Sequence, residues 1–229
     1  MEEKELIKIS VRNLVEFILR EGDIDNRTGG GADKEAMLQG SRIHRRIQRR
    51  MGSDYRAEVS LKMQIPCEGF TLQVEGRADG IIEDGQGVMI DEIKGVLREL
   101  LYIEAPSNVH LAQAKCYAYM YARQENLQNI RVQMTYCNLD TEELKRFIRE
   151  FTRDELEKWF LELVGKYEKW AKFQIEWKSG RNASIKKIEF PFEYRDGQRE
   201  IVTSVYKTIL RKKKLFIQAP TGVGKTMAA

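Results

Sequence analysis

Apolar and polar positions follow two periods along this chain, and each change of period marks an element. Residues 10–21, SVRNLVEFILRE, set apolar residues three and four apart behind Ser10, which suits an N-cap, so a helix is expected. Residues 22–35, GDIDNRTGGGADKE, hold three consecutive glycines and no apolar run, which predicts a mobile loop. Helical spacing returns over 36–51 in a strongly basic segment. Residues 55–65 alternate with period two and read as a strand that Pro66 ends. VEGRADGIIEDGQGVMIDEIKG, Val74 to Gly95, reads as two strands around a turn. Residues 108–126 read as a helix and 130–138 as a strand. The spacings DTEE (140–143) and TRDE (152–155) each suit a capping box, so two helices are expected, about 141–151 and 153–172. Phe147, Phe151, Trp159, Phe160, Leu163, Tyr167 and Trp170 would form their core-facing side. KSGRNAS (178–184) reads as a polar linker, and a new segment starts near 186. The expected division is 1–180 and 181–229.

Composition narrows the class. The chain has 229 residues, 42% hydrophobic and 32% charged, which suits a folded globular protein with a sizeable core. MEEKELIKIS has no apolar leader core, and no run approaches the ~18 apolar residues of a membrane span. Three scattered cysteines, Cys67, Cys116 and Cys137, fit a reducing cytoplasm better than a disulfide framework. They are also too few for a four-thiolate zinc or iron–sulfur site.

The hairpin holds the first candidate chemistry. With the turn centred between Gly85 and Gln86, Ile81 faces Ile90, Asp79 faces Glu92 and Arg77 faces Lys94, all on one face. Opposed Cβ atoms lie roughly 4.5–5.5 Å apart, where like charges repel. A divalent cation between the two carboxylates would relieve that, since Mg²⁺ prefers carboxylates and water. An exposed sheet face with diagonal charge pairs is the other reading of the same residues. Upstream, Met37, Gly40, His44, Ile47 and Met51 share a helical stripe that directs His44 inward, as a core residue or a ligand. Arg42, Arg45, Arg46, Arg49 and Arg50 surround the stripe and could neutralise phosphates or form a solvated face. Gln113, Tyr117 and Tyr121 share a face at spacing four. Tyr117 could stack a base or pack within the fold.

GRADG…DEIKG resembles the core of the PD-(D/E)xK nuclease superfamily. GSRIH (Gly40–His44) and QAKCY (Gln113–Tyr117) are similar to the G-x-x-x-H and Q-x-x-x-Y motifs of its RecB-like branch. Ala78 stands where the superfamily's proline would be. The resemblance implies an α/β fold with a restriction-endonuclease-like core, a mixed central sheet flanked by helices. It implies that His44, Asp79, Glu92 and the carbonyl of Ile93 bind Mg²⁺ or Mn²⁺, and that Asp79, Glu92 and Lys94 are catalytic. Lys94 would position the attacking water and meet phosphate charge, leaving a 5′-phosphate and a 3′-hydroxyl. Gln113, Tyr117, Arg45, Arg46 and Arg49 would order the site or touch nucleic acid, with Glu58 a further acidic candidate. Some relatives carry an iron–sulfur cluster; none is expected here.

The C-terminal LFIQAPTGVGKT (215–226) carries a second motif. Leu215–Ala219 reads as a short buried strand, and APTGVGKT matches a phosphate-binding loop with Ala219 in place of its first glycine. Gly222 and Gly224 would wrap phosphates, Lys225 would reach them and Thr226 would hold Mg²⁺. The variant resembles superfamily 2 helicases, and YRDGQREIV (194–202) is similar to their adenine-reading segment, with Gln198 as the reader. The order nuclease then helicase resembles DinG and XPD relatives. The chain stops three residues after Thr226. The expectation is therefore a fragment of a nuclease–helicase protein of DNA repair, with a short C-terminal appendage and an incomplete nucleotide site. It would neither hydrolyse ATP nor unwind DNA, and ATP would matter only in the full-length protein. The leading expectation is a DNA exonuclease acting on single strands. The alternatives are a DNA-binding module of the same fold that does not cut but feeds the helicase, and a nucleotide-binding ATPase piece.

Overall fold

The computed structural model describes residues 5–21, 32–189 and 192–228. It divides into two compact units, Met1–Ile175 and Glu176–Ala229. The first is a mixed α/β layer, a six-stranded sheet flanked by helices, as the sequence led us to expect.

Strand β1 (Glu5–Ser10), which the sequence reading missed, leads into α1 (Val11–Leu19). The Ser10 hydroxyl accepts from Asn13 N at 3.1 Å and starts the helix. Helix α2 (Ala32–Arg49) begins inside the stretch expected to be a loop; the rest of that loop, 22–31, lies outside the described residues. Then come β2 (Tyr55–Pro66), β3 (Phe70–Asp84), β4 (Gly87–Val96), α3 (Asn108–Gln124), β5 (Asn129–Asn138), β6 (Leu144–Thr152) and α4 (Arg153–Ile185). The order across the sheet is β1-β3-β4-β5-β6, with β2 on the other edge of β3.

The long β3 determines the architecture. β2 covers one of its edges from Thr71 to Ile82. The other edge is shared: parallel β1 takes Phe70–Glu75, and antiparallel β4 takes Gly80–Asp84. Residues 76–79 fall between the two neighbours, so the sheet forks there. On the opposite edge, the β2 pairing also skips one position, Glu58 opposite Asp79. Glu58 has φ +59°, which a residue with a Cβ adopts only at a cost.

The core lies between one face of the sheet and α1, α3 and α4. Leu72, Val74, Ile81, Ile90, Val132 and Met134 meet Leu14, Phe160 and Leu163 there. Helix α3 sits close because Ala112, Ala114, Ala118 and Ala122 are small and buried. Ile43 and Ile47 of α2 pack with Ile93 and Cys137 in a smaller cluster.

Three expectations of local structure are corrected. Residues 141–151 are not a helix: β6 pairs antiparallel with β5, Phe147 opposite Met134 and Phe151 opposite Ile130. A spacing of four places two aromatics on one side of either a helix or a strand, so it could not decide. The apparent capping box is used in a turn instead, with Asn138 Oδ1 accepting from the backbone N–H groups of Asp140 and Thr141. The second box is real: Thr152 Oγ1 accepts from Glu155 N, and Glu155 Oε2 accepts from Thr152 N at 2.9 Å. The linker at 178–184 is also helical, because α4 continues through it to Ile185. It contains no proline, and its one glycine costs a helix only about 1 kcal/mol.

In the second unit, α5 (Gln198–Leu210) follows Gly197, whose φ is +74°. Leu215–Ala219 is not a strand: it has no ladder partner among the described residues, and Phe216 is 92% exposed. No described helix is long and apolar enough to cross a membrane.

Candidate active site

The site lies where β3 and β4 part. Their register, Gly80 with Asp91 and Ile81 with Ile90, is the one the turn chemistry implies. It ends there, so neither the expected Asp79–Glu92 pair nor the expected Arg77–Lys94 pair forms as a rung of the ladder. Arg77 instead bonds Glu58 at 2.5 Å. Past the last pair, Ile93 N has lost its ladder partner, and Asp79 Oδ2 accepts from it at 2.8 Å. Asp79 Oδ1 meets His44 Nδ1 of α2 at 3.2 Å. Gln48, one turn further along α2, donates to Asp79 O and to Glu58 Oε1. Glu58 therefore belongs to the same neighbourhood.

Glu92 is 1% exposed. Its Oε1 takes the Lys94 ammonium at 2.8 Å, and Oε2 has no hydrogen-bond partner among the described residues. Burial and the Asp79 charge push its pKa up to about 8, against the pull of Lys94. For His44, burial works to lower the pKa, but the Asp79 hydrogen bond and the Asp79 and Glu92 charges outweigh it, and the value is raised. Lys94 Nζ also donates to Gln113 Oε1 at 3.0 Å. The motif on α3 thus gives the lysine a second partner besides its carboxylate.

Tyr117 is 3% exposed, so it packs rather than offering a face to a base. Its ring lies over Gly76 in the fork: a Cβ there would be 2.7 Å from the Tyr117 hydroxyl. Of the arginines on α2, Arg45 and Arg49 are exposed, while Arg46 pairs with Glu142 in the β5–β6 turn.

A cleft of about 360 Å³ opens over this centre. Gly40, Ser41 and His44 line it from α2, Ile93, Lys94 and Gly95 from β4, and His110 and Gln113 from α3. Arg12 and Glu16 of α1, an ion pair at 2.7 Å, complete it. Sequence reasoning singled out none of Arg12, Glu16 and His110, because α1 and α3 are far apart in the chain and meet only in the folded core. Among the described residues, no group of three or more His, Cys, Asp and Glu side chains is arranged to hold a metal ion.

Behind β4, a second polar cluster also escaped the sequence reading. Asp91 is fully buried and accepts from Thr135 Oγ1 at 2.6 Å, Gln133 Nε2 at 3.0 Å and Tyr55 Oη at 3.2 Å. The Tyr55 ring occupies the space that a side chain at Gly80 would need. These bonds fix β4 from the face opposite Glu92.

The residues expected from the sequence to meet a nucleotide form their own group within the second unit. Gly222 and Gly224 both have positive φ, +89° and +76°. Lys225 Nζ donates back to Ala219 O and Pro220 O, and Gln198 Nε2 donates to Gly224 O at 3.1 Å. Thr226 lies in the short helix Lys225–Ala228.

No family model matches the chain, and no curated protein matches it in sequence. Among solved structures it is similar to SSO0001, at 16% identity and a TM-score of 0.45, over 71% of this chain and 78% of that one. It is also similar to an alkaline exonuclease, LHK-Exo, from Laribacter hongkongensis. That match has 14% identity and a TM-score of 0.47, over 78% of this chain and 94% of the other.

Proposed function

We propose that Met1–Ile175 is a metal-dependent deoxyribonuclease of the RecB-like, restriction-endonuclease-like type that acts on single-stranded DNA from an end. One observation carries the reading: the buried Glu92 carboxylate has an oxygen with no partner among the described residues and a second carboxylate, Asp79, beside it. Left so, a buried acid costs free energy. A divalent cation would complete it, and the donor set of Glu92, Asp79, His44 and the Ile93 carbonyl suits Mg²⁺ or Mn²⁺. Such an ion lowers the pKa of a bound water and neutralises phosphate charge.

The chain's own groups supply the rest. Lys94, held between Glu92 and Gln113, presents a fixed positive donor to a phosphate in the cleft. Gln113 and Tyr117 keep it there. Exposed Arg45 and Arg49 would meet phosphates along the strand. The test is incubation of 5′- and 3′-labelled single- and double-stranded DNA with Mg²⁺ or Mn²⁺. Metal-dependent cutting of single strands from an end is expected. No scission with either ion would refute the nuclease.

We further propose that the second unit is the start of a superfamily 2 helicase of the DinG/XPD type. Two glycines with positive φ, Lys225 folded onto the loop carbonyls and Gln198 bonded to the loop support this. Phosphate protection of the Lys225 and Gly224 amide signals by ATP-Mg²⁺ in NMR spectra would test it; unchanged signals would count against it.

A further inference from the structure

We infer that His110 is a neutral hydrogen-bond donor that grips a phosphate oxygen of the DNA strand beside Lys94. The inference rests on the nuclease reading for its ligand, but not for its chemistry. Tyr136 is 3% exposed, and its hydroxyl accepts from Ser107 N at 3.2 Å. Its own proton needs an acceptor, and His110 Nδ1, 3.0 Å away, is the one it has among the described residues. A hydroxyl that donates to Nδ1 leaves the imidazole proton on Nε2.

The ring is half-buried on α3 and lines the same cleft as Lys94 and Gln113. Its Nε2 has no partner among the described residues, so the N–H is available to a ligand. Burial first, and then the Lys94 charge, lower its pKa to about 4, which keeps it neutral. His110 also lines a second cleft, of about 340 Å³, with Tyr136, Arg98 and Ser107. It therefore stands where the two clefts adjoin, with Lys94 on one side and Arg98 on the other. A strand crossing from one cleft to the other would pass the Nε2–H with its phosphates near both cations. A neutral donor suits that place, because it adds a directed bond without further charge repulsion between cations.

Two measurements test this. The chain has only two histidines, so long-range ¹H–¹⁵N correlation spectra of the labelled protein resolve His110 readily. The expected pattern at neutral pH is a protonated Nε2 and an acceptor Nδ1; the opposite tautomer, or an imidazolium, would overturn the inference. Second, the affinity for a fluorescent single-stranded oligodeoxynucleotide is read by anisotropy in EDTA, where no cutting can occur. His110→Ala should weaken binding about tenfold, the value of one hydrogen bond to a charged group. His110→Gln, which keeps an N–H, should recover most of it. Equal affinity of the wild type and His110→Ala, or no binding by the wild type, would overturn the inference. A wild type that binds through His110 but cuts nothing in Mg²⁺ or Mn²⁺ would sink the nuclease reading alone.

Discussion

The fork in the sheet and the glycine loop near the C-terminus both carry residues that the sequence reading assigned to phosphate chemistry, and both were visible as short strings. They differ in support. Asp79, Glu92, Lys94, His44 and Gln113 come from four elements, which their bonds tie together, helix to strand and strand to strand. The loop is held by its own carbonyls, by Gln198 and by Arg195, and the strand expected to lead into it has no pairing among the described residues. A motif names residues, but only a scaffold can keep charged groups out of water, where their interactions are strong. The first region has that scaffold within Met1–Ile175.

Substitutions can sharpen or break this contrast. The largest effect should come from Asp79→Ala and Lys94→Ala, each lowering the cleavage rate by about a thousandfold with the circular dichroism spectrum unchanged. Activity within tenfold of wild type would mean that the fork is ordinary packing. Gln113→Ala should cost about 10- to 100-fold in kcat with KM little altered, if its part is to hold the Lys94 ammonium, from which its Oε1 accepts a bond.

Glu92→Gln should separate function from stability. The folded state holds the Glu92 proton more tightly than the unfolded chain, with a pKa raised from 4.5 to about 8. The carboxyl therefore costs nothing below pH 4.5, its cost grows as pH rises from 4.5 towards 8, and it levels off above that. The variant should lose cleavage yet gain about 1–3 kcal/mol in urea unfolding at pH 8, with no gain at pH 4. The same sign predicts that metal affinity climbs with pH and levels off above about 8, with proton release detectable by calorimetry. The smallest effect belongs to the other region. Phe216→Ser, at a 92% exposed position, should change unfolding free energy by less than about 0.5 kcal/mol.

Much of the first region was legible because its signals are local. The EDGQG turn set the β3–β4 register, Ser10 marked α1, and Thr152 with Glu155 marked α4. What could not be read depends on neighbours far along the chain. β1 is short and partly polar, so it counts as a strand only beside Phe70–Glu75. Phe147 and Phe151 fit two periods, and β5 decided between them. Arg77 was assigned opposite Lys94 on the assumption that the ladder continues, and the fork ends it. Asp91 was passed over beside Glu92 because its partners Thr135, Gln133 and Tyr55 lie on other strands. His110 and Arg12 share a cleft although nearly a hundred positions separate them in sequence.

Ser10 has one more consequence. It closes β1 at its pairing with Glu75, one step before Gly76, by turning its hydroxyl to the start of α1. Were the chain to run straight on, Val11 would zip onto the next rung and begin to seal the gap over which Tyr117 sits. A helix cap thus acts as a doorstop, and the length of the first strand sets how wide the sheet stands ajar.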